Sequence, residues 1–383
     1  MKKVGIITLF HGSLNYGGVL QACALSKALD HLGIPNEQIR CVFDVEEEEQ
    51  RTVLGTLKKL MNPRTVWNRI QYDRNARKAE QNRAGRREAF AAFNARYVPG
   101  SDRVYSTADI QECLGNYDAF VTGSDQVWNP EWYCRTLFLD FVPSDRAKIS
   151  YAASLGKGSL TERQQQRIRD HLKDFRAVSV RETNAVELIA PLSPVPVACT
   201  LDPTLLLTGE QWQQICAEKM TQEKYIFCYF LGSDQEAAAA IQEYADQKHC
   251  RIAGIPYIIA DHSEKSTISY DLVYPDASPA EFLSLIRNAE AVFTDSFHAT
   301  VFSNLFEKEH FVFPRSGHSA MGSRIHRVTE IFGTTERFCD TPQKRTMEYL
   351  TKLPPIGKTV RQADLEQLRN ASMEYLYRNL KQK

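Results

Sequence analysis

The chain has no net charge: 47 basic residues balance 47 acidic ones. A globally basic nucleic-acid binder and a globally acidic solvating protein are thereby excluded. No apolar run approaches the roughly 18 residues of a membrane span. The opening MKKVGIITLF starts like a signal peptide, but its apolar stretch is short and runs into a glycine turn. A first buried strand is expected there instead. Nine cysteines form no CxxC pair, and Cys23, Cys199 and Cys228 sit inside apolar segments. Reduced core thiols in a cytoplasmic protein are expected. HExxH and DxD are missing, and so is the GxSxG of a serine nucleophile elbow. Neither a metal nor a cofactor is expected, and proteolysis and simple ester hydrolysis lose ground.

What is present is an ordinary globular composition, 43% hydrophobic and 25% charged over 383 residues. The zero total hides an uneven distribution. Residues 1–50 carry a net of −3, residues 51–103 a net of +9, and residues 104–383 a net of −6. Within the basic stretch Leu54, Leu57, Leu60, Met61, Val66, Trp67 and Ile70 fall at helical spacings. Two readings stand side by side. One is a basic amphipathic helix lying on an anionic membrane surface, which would place the protein at the inner face of the membrane. The other is a solvated helical insertion that packs its apolar side on its own domain.

Elsewhere short apolar runs alternate with helical patterns, which predicts parallel sheets covered by helices. Strands are expected at 4–10, 39–45, 119–123, 148–154, 177–181 and 195–202, with helices at 19–32, 161–175 and 182–190. The pattern restarts with a helix at 209–219. Strands follow at 225–232, 251–256, 291–296 and 310–314, with helices at 235–248, 279–289 and 298–306. The predicted fold is α/β, with two Rossmann-like domains at 1–205 and 206–361 and a cleft between their strand ends. A final amphipathic helix over 362–383 is expected to return to the first domain.

Five segments carry candidate chemistry. Asn15, Tyr16, Gly17 and Gly18 follow strand one, where a glycine turn and a helix N-terminus make a ready anion site or simply a tight turn. Ser124, Asp125, Gln126 and Trp128 follow the strand at 119–123. Asp125 can accept a proton from an attacking alcohol or cap a turn. Gln126, Trp128 and Asn129 suit a sugar face. Arg181 ends a strand and either grips a carboxylate or phosphate or pairs with Glu182 or Asp202. Ser296, His298 and Thr300 sit at a strand-to-helix turn, where a histidine can pass a proton. Arg315, His318 and Arg324 lie in and after a glycine-containing loop able to close over an anion.

Together the NYGG loop with LQACAL behind it, TGSDQVWNP, SYAAS, SVRE, LDPTLLL, TDSFHATVFSNLF and the late SRI resemble the polysaccharide pyruvyl transferase family over nearly the whole chain. The resemblance implies a GT-B-like architecture. It also implies transfer of the pyruvyl group of phosphoenolpyruvate onto two hydroxyls of a glycan or sugar precursor, giving a cyclic ketal and phosphate. The family's catalytic histidine falls on His298 and its arginine after the SxRE strand on Arg181. The family arginine two residues before the histidine is Ser296 here, and Phe297 stands for a leucine. Arg324 or Arg315 is then expected to supply the missing cation, with Ser296 and Thr300 beside the donor. Asn15, Tyr16, Gly17, Gly18, Ser124, Gln126 and Trp128 are expected on the acceptor side, with Asp125 as base. Two alternatives stay open: a glycosyltransferase using a nucleotide-sugar on the same fold, and a non-catalytic sugar-binding relative.

Overall fold

The computed structural model describes residues 3–44, 84–256, 266–315, 319–356 and 362–381. Most of the basic stretch, including the apolar positions from Leu54 to Ile70, lies outside the described residues, and so do Ser316, Gly317 and His318.

The first unit opens with β1 (Val4–Ile7), a run buried at every position, and α1 (Tyr16–His31). Asn15 caps that helix, its side chain accepting from the Gly18 amide, and Gly33 takes the left-handed conformation just beyond its end. The chain continues through β2 (Asn36–Gln38), β3 (Cys41–Val42), α2 (Ala84–Tyr97) and β4 (Tyr105–Ser106). Then come β5 (Ala119–Thr122), β6 (Ala147–Ser150), α3 (Glu162–Leu172), β7 (Val178–Val180), α4 (Thr183–Ile189) and β8 (Val197–Cys199). The sheet runs β2-β1-β5-β6, all parallel, with Val4 opposite both Asn36 and Ala119. Single bridges from Ile149 to Ala177 and from Ala153 to Val180 carry it on to the β7–β8 pair.

One strand departs from the expectation over 39–45. The sheet takes Asn36–Gln38 instead, and Cys41–Val42 pairs separately with β4. The polar strand is still buried, because Gln38 donates to Ala22 O and to Ser26 Oγ on α1. Polar residues satisfied by a neighbouring helix leave no apolar signature to read. Cys23 and Cys228 are buried, whereas Cys199 is exposed, since among the described residues β8 pairs only with β7 and stands at the sheet edge.

The second unit repeats the theme. In order come α5 (Gly209–Gln213), β9 (Tyr225–Tyr229), α6 (Gln235–Lys248), β10 (Arg251–Gly254), β11 (Leu272–Val273), α7 (Pro279–Asn288) and β12 (Ala291–Thr294). They are followed by α8 (Phe297–Leu305), β13 (Glu309–Val312), α9 (Ser319–Phe332) and α10 (Met347–Lys352). The parallel sheet runs β11-β10-β9-β12-β13. Capping boxes at Thr208/Gln211 and Ser278/Glu281 start α5 and α7.

Strand order reverses between β1 and β5 in one sheet and between β9 and β12 in the other. Ligands of open parallel sheets bind at such reversals, beyond the carboxyl strand ends. The fold class is therefore the α/β, two-Rossmann, GT-B-like one expected.

The units are joined by a shared core. One face of α1 (Tyr16, Val19, Leu20, Cys23) packs in the same cluster as Phe282, Leu283 and Phe302 of the second unit. Tyr16 stacks on Phe282 at 4.4 Å and donates its hydroxyl to Ala277 O at 2.7 Å. The last helix, α11 (Gln362–Lys381), crosses back to the first unit. Its Leu365, Leu376 and Leu380 join Val4, Leu25 and Leu29 in one cluster, and Tyr375 donates to Ser150 O at 2.9 Å. Among the described residues no helix is long and apolar enough to cross a membrane.

Candidate functional site

Asp202 sits at the centre of the site. It follows β8 in the connection between the two units, and Pro203 opens a single 3-10 turn behind it. Its Oδ1 accepts from the Thr204 amide at 3.0 Å and from Thr204 Oγ1 at 2.6 Å. That leaves Oδ2, which accepts from Arg181 Nη1 at 2.6 Å and lies 3.6 Å from His298 Nε2. The carboxyl is completely buried. Burial works against its ionisation, but His298 and Arg181 outweigh that and hold it far below the ordinary carboxylate range.

Arg181 is placed by the end of β7. Besides Asp202 it reaches Glu182 Oε1 at 3.2 Å and Asp125 Oδ1 at 3.4 Å, and its guanidinium lies over the Phe297 ring at 4.6 Å. Burial opposes its charge; Glu182, Asp202 and Asp125 more than reverse this and keep it charged. Of the two roles open to Arg181 from sequence, the structure places it in the ion-pair role, with both expected partners and a third. A guanidinium committed to three carboxylates has few N–H groups left for a ligand.

His298 is the second residue of α8. Ser296 caps that helix, its Oγ accepting from the Ala299 amide at 3.4 Å. The histidine ring crosses to the first unit and rests against Gly17. A Cβ on Gly17 would lie 1.9 Å from His298 Nδ1. Only a glycine leaves room for the ring there. His298 Nε2 is buried and has no hydrogen-bond partner among the described residues.

Two further arginines come to this region. Arg324, on α9, lies 3.8 Å from Glu182 Oε1 and is buried. With its amide oxygen turned toward Arg324, Gln126 accepts from Nη1 and Nη2 at 3.0 and 3.1 Å. Burial, with Arg181 close by, lowers the Arg324 pKa to about 10. Arg315 is held by Asp295, donating from Nε to Oδ2 at 3.0 Å. Asp295 is fixed in turn by the amides of Leu231 and Gly232, at 2.7 and 2.8 Å.

The structure thus brings together Gly17, Asp125, Gln126, Arg181, His298 and Arg324. Other expected site residues are spent internally. Trp128 is buried, stacks on Phe138 at 5.3 Å and donates to Leu137 O. Its indole offers no face to a sugar. Ser124 is buried and donates to Ala152 O, and Thr300 is buried and donates to Ser296 O. Asn15 and Ser296 use their side chains as helix caps. Tyr16 is an interdomain core residue rather than a cleft residue.

From sequence alone Asp202 and Glu182 stand only as partners of Arg181. The Asp-Pro-Thr string after a strand was the available signal for Asp202. Asp295 had a similar cue, since a carboxylate at a strand end is well placed to collect loop amides.

A family model described as "polysaccharide pyruvyl transferase" matches residues 15–317. No curated protein matches the chain in sequence. Among solved structures, UDP-GlcNAc 2-epimerase from Neisseria meningitidis, bound to UDP-GlcNAc, is 11% identical. The match covers 99% of this chain and 100% of that one, with a TM-score of 0.47. UGT89C1 from Arabidopsis thaliana is 11% identical over 99% of this chain and 97% of its own, with a TM-score of 0.45. UDP-GlcNAc 2-epimerase from Methanocaldococcus jannaschii is 11% identical over 91% and 98%, with a TM-score of 0.46.

Proposed function

The chain belongs to the polysaccharide pyruvyl transferase family, and from that premise we propose that it moves the pyruvyl group of phosphoenolpyruvate onto two hydroxyls of a glycan or sugar precursor. The observation that carries this reading is the position of His298. Its ring lies where the two units meet, against Gly17 of one and 3.6 Å from Asp202 of the connection.

The proposed chemistry follows from residue types. The methylene carbon of the enol phosphate must be protonated, and an imidazolium at His298 is the acid. This leaves a cationic centre at C2. A sugar hydroxyl attacks it and loses its proton to the nearest base, for which Asp125 is the candidate. The phosphate group leaves, and a second hydroxyl closes the ketal. The donor brings a phosphate and a carboxylate. Arg324 and Arg315 are proposed to meet them. Arg181 is proposed to hold the carboxylates in place rather than the donor. Gln126 and Gly18 are proposed to stay on the acceptor side. The domain division proposed is 1–205 and 206–361, with the last helix belonging to the first domain.

Incubating the protein with phosphoenolpyruvate and a panel of sugar acceptors tests the reading. Acceptor-dependent phosphate release is expected. Phosphoenolpyruvate left intact with every acceptor, alongside turnover of a nucleotide-sugar, would replace the reading with glycosyl transfer. If the acceptor is carried by an anionic lipid, the +9 stretch at 51–103 is proposed to dock at the membrane, and salt-sensitive binding to anionic liposomes is the corresponding test.

A further inference from the structure

We infer that Asp202 is a positioning residue for His298, holding the imidazole in the tautomer that carries its proton on Nε2 and leaves Nδ1 to exchange protons in the cleft. The inference deepens the pyruvyl-transfer reading and rests on it only for the identity of the reaction.

Three observations converge. The first is that Asp202 has one carboxylate oxygen committed and one directed. Oδ1 is saturated by the amide and hydroxyl of Thr204, and Oδ2 faces Arg181 Nη1 and His298 Nε2. The second is that Nε2 is buried and unsatisfied among the described residues, so Asp202 is the nearest acceptor on offer. A buried N–H without an acceptor is costly, and apo hydrogen bonds at catalytic groups tighten when substrate binds. The third concerns the other nitrogen. Nδ1 packs against Gly17, where any side chain would collide with the ring: a Cβ there would stand 1.9 Å away. Gly17 therefore makes room for the Nδ1 edge of the ring at the first turn of α1, while Nε2 faces Asp202. The two ring nitrogens of a histidine are chemically distinct, and the partner of one fixes the task of the other.

The placement also ties the pair to the fold. Asp202 stands on the connection between domains and His298 on the second domain, so the pair links the two. Arg181 Nη1 donates to Asp202 Oδ2 at 2.6 Å and pins it. The proton count is unchanged over a turnover. Nδ1–H is given to the methylene carbon of the donor, and one proton from the attacking hydroxyls returns to Nδ1. The other leaves with phosphate.

The test is nitrogen NMR of the full chain with ¹⁵N-labelled histidine, at a pH where the ring is neutral and with His298→Gln used for assignment. The expected signature is a protonated Nε2 and a bare Nδ1 in the wild type, with a mixed tautomer in Asp202→Asn. The same variant is expected to lose about 10²–10⁴ in kcat, with the KM for phosphoenolpyruvate changed by less than about threefold. A wild-type ring protonated on Nδ1, or an unchanged tautomer and kcat in folded Asp202→Asn, overturns the inference. Should Asp202→Asn fail to fold, the wild-type tautomer decides. If His298→Gln still turns over phosphoenolpyruvate, the functional reading fails while the tautomer result stands as a separate observation.

Discussion

Gly17 and His298 belong to different domains, yet the histidine ring fills the space where a glycine side chain would begin. Replacing Gly17 with Ala forces the ring to move or the domains to part. We expect Gly17→Ala to lose at least about 10² in turnover, because proton transfer by a positioned group is worth about 10²–10⁴. Initial rates with phosphoenolpyruvate, together with a melting curve showing the variant still folded, check this. A rate within twofold of wild type would mean that the contact is incidental.

Arg181 is expected to matter for stability first. Removing it takes the shortest ion-pair partner from Asp202 and Glu182, both buried, and leaves them only the longer approaches of His298 and Arg324. Breaking a buried pair in this way costs about 3–5 kcal/mol. Urea unfolding of Arg181→Ala is the measurement. A loss below about 1 kcal/mol would return Arg181 to a ligand-binding role.

Trp128 is expected to be silent toward substrate. Its indole is stacked and hydrogen-bonded in the core. Trp128→Phe should cost about 1 kcal/mol for the lost hydrogen bond and leave the acceptor KM within about twofold. A large rise in acceptor KM in a stable Trp128→Phe protein would contradict the packing described.

How much of this was legible beforehand depends on the kind of signal. The β-α alternation, the two domains and the returning helix with Leu365 and Leu376 rest on local periodicity, which a sequence displays directly. The places of His298 and Asp125 after strand ends are readable from sequence, and strand ends in α/β folds point at clefts. Trp128 and Thr300 misled, because whether a side chain turns into the core or the cleft is decided by tertiary packing. Residue type does not carry that information. The three carboxylates around Arg181 come from three separate loops, after β5, after β7 and after β8. Only the closed sheet order brings them together. The strand at Asn36–Gln38 was missed because its polar side chains are buried by hydrogen bonding rather than by hydrophobicity.

A pH dependence follows from His310. It is fully buried, its Nδ1 bonded to Lys308 O at 2.9 Å and its Nε2 facing the Asn304 amide at 3.2 Å. Burial lowers its pKa to about 3. The unfolded chain takes up a proton near pH 6.5 that the folded chain refuses, so stability from this group is full above that pH. It is lost progressively as pH falls from about 6.5 toward 3, at up to about 1.4 kcal/mol per unit. Urea unfolding at several pH values should show this slope in the wild type and a shallower one in His310→Gln. Equal slopes would contradict the buried, neutral assignment.

The central claim is that His298 supplies the proton for pyruvyl transfer. Its most direct test is the product formed from phosphoenolpyruvate and an accepted sugar, identified by NMR, for wild type and His298→Ala side by side. A pyruvyl ketal bridging two hydroxyls is predicted for the wild type, with its rate of formation lower by about 10²–10⁴ in a folded His298→Ala protein. Ketal formed by the variant at close to the wild-type rate would contradict the account.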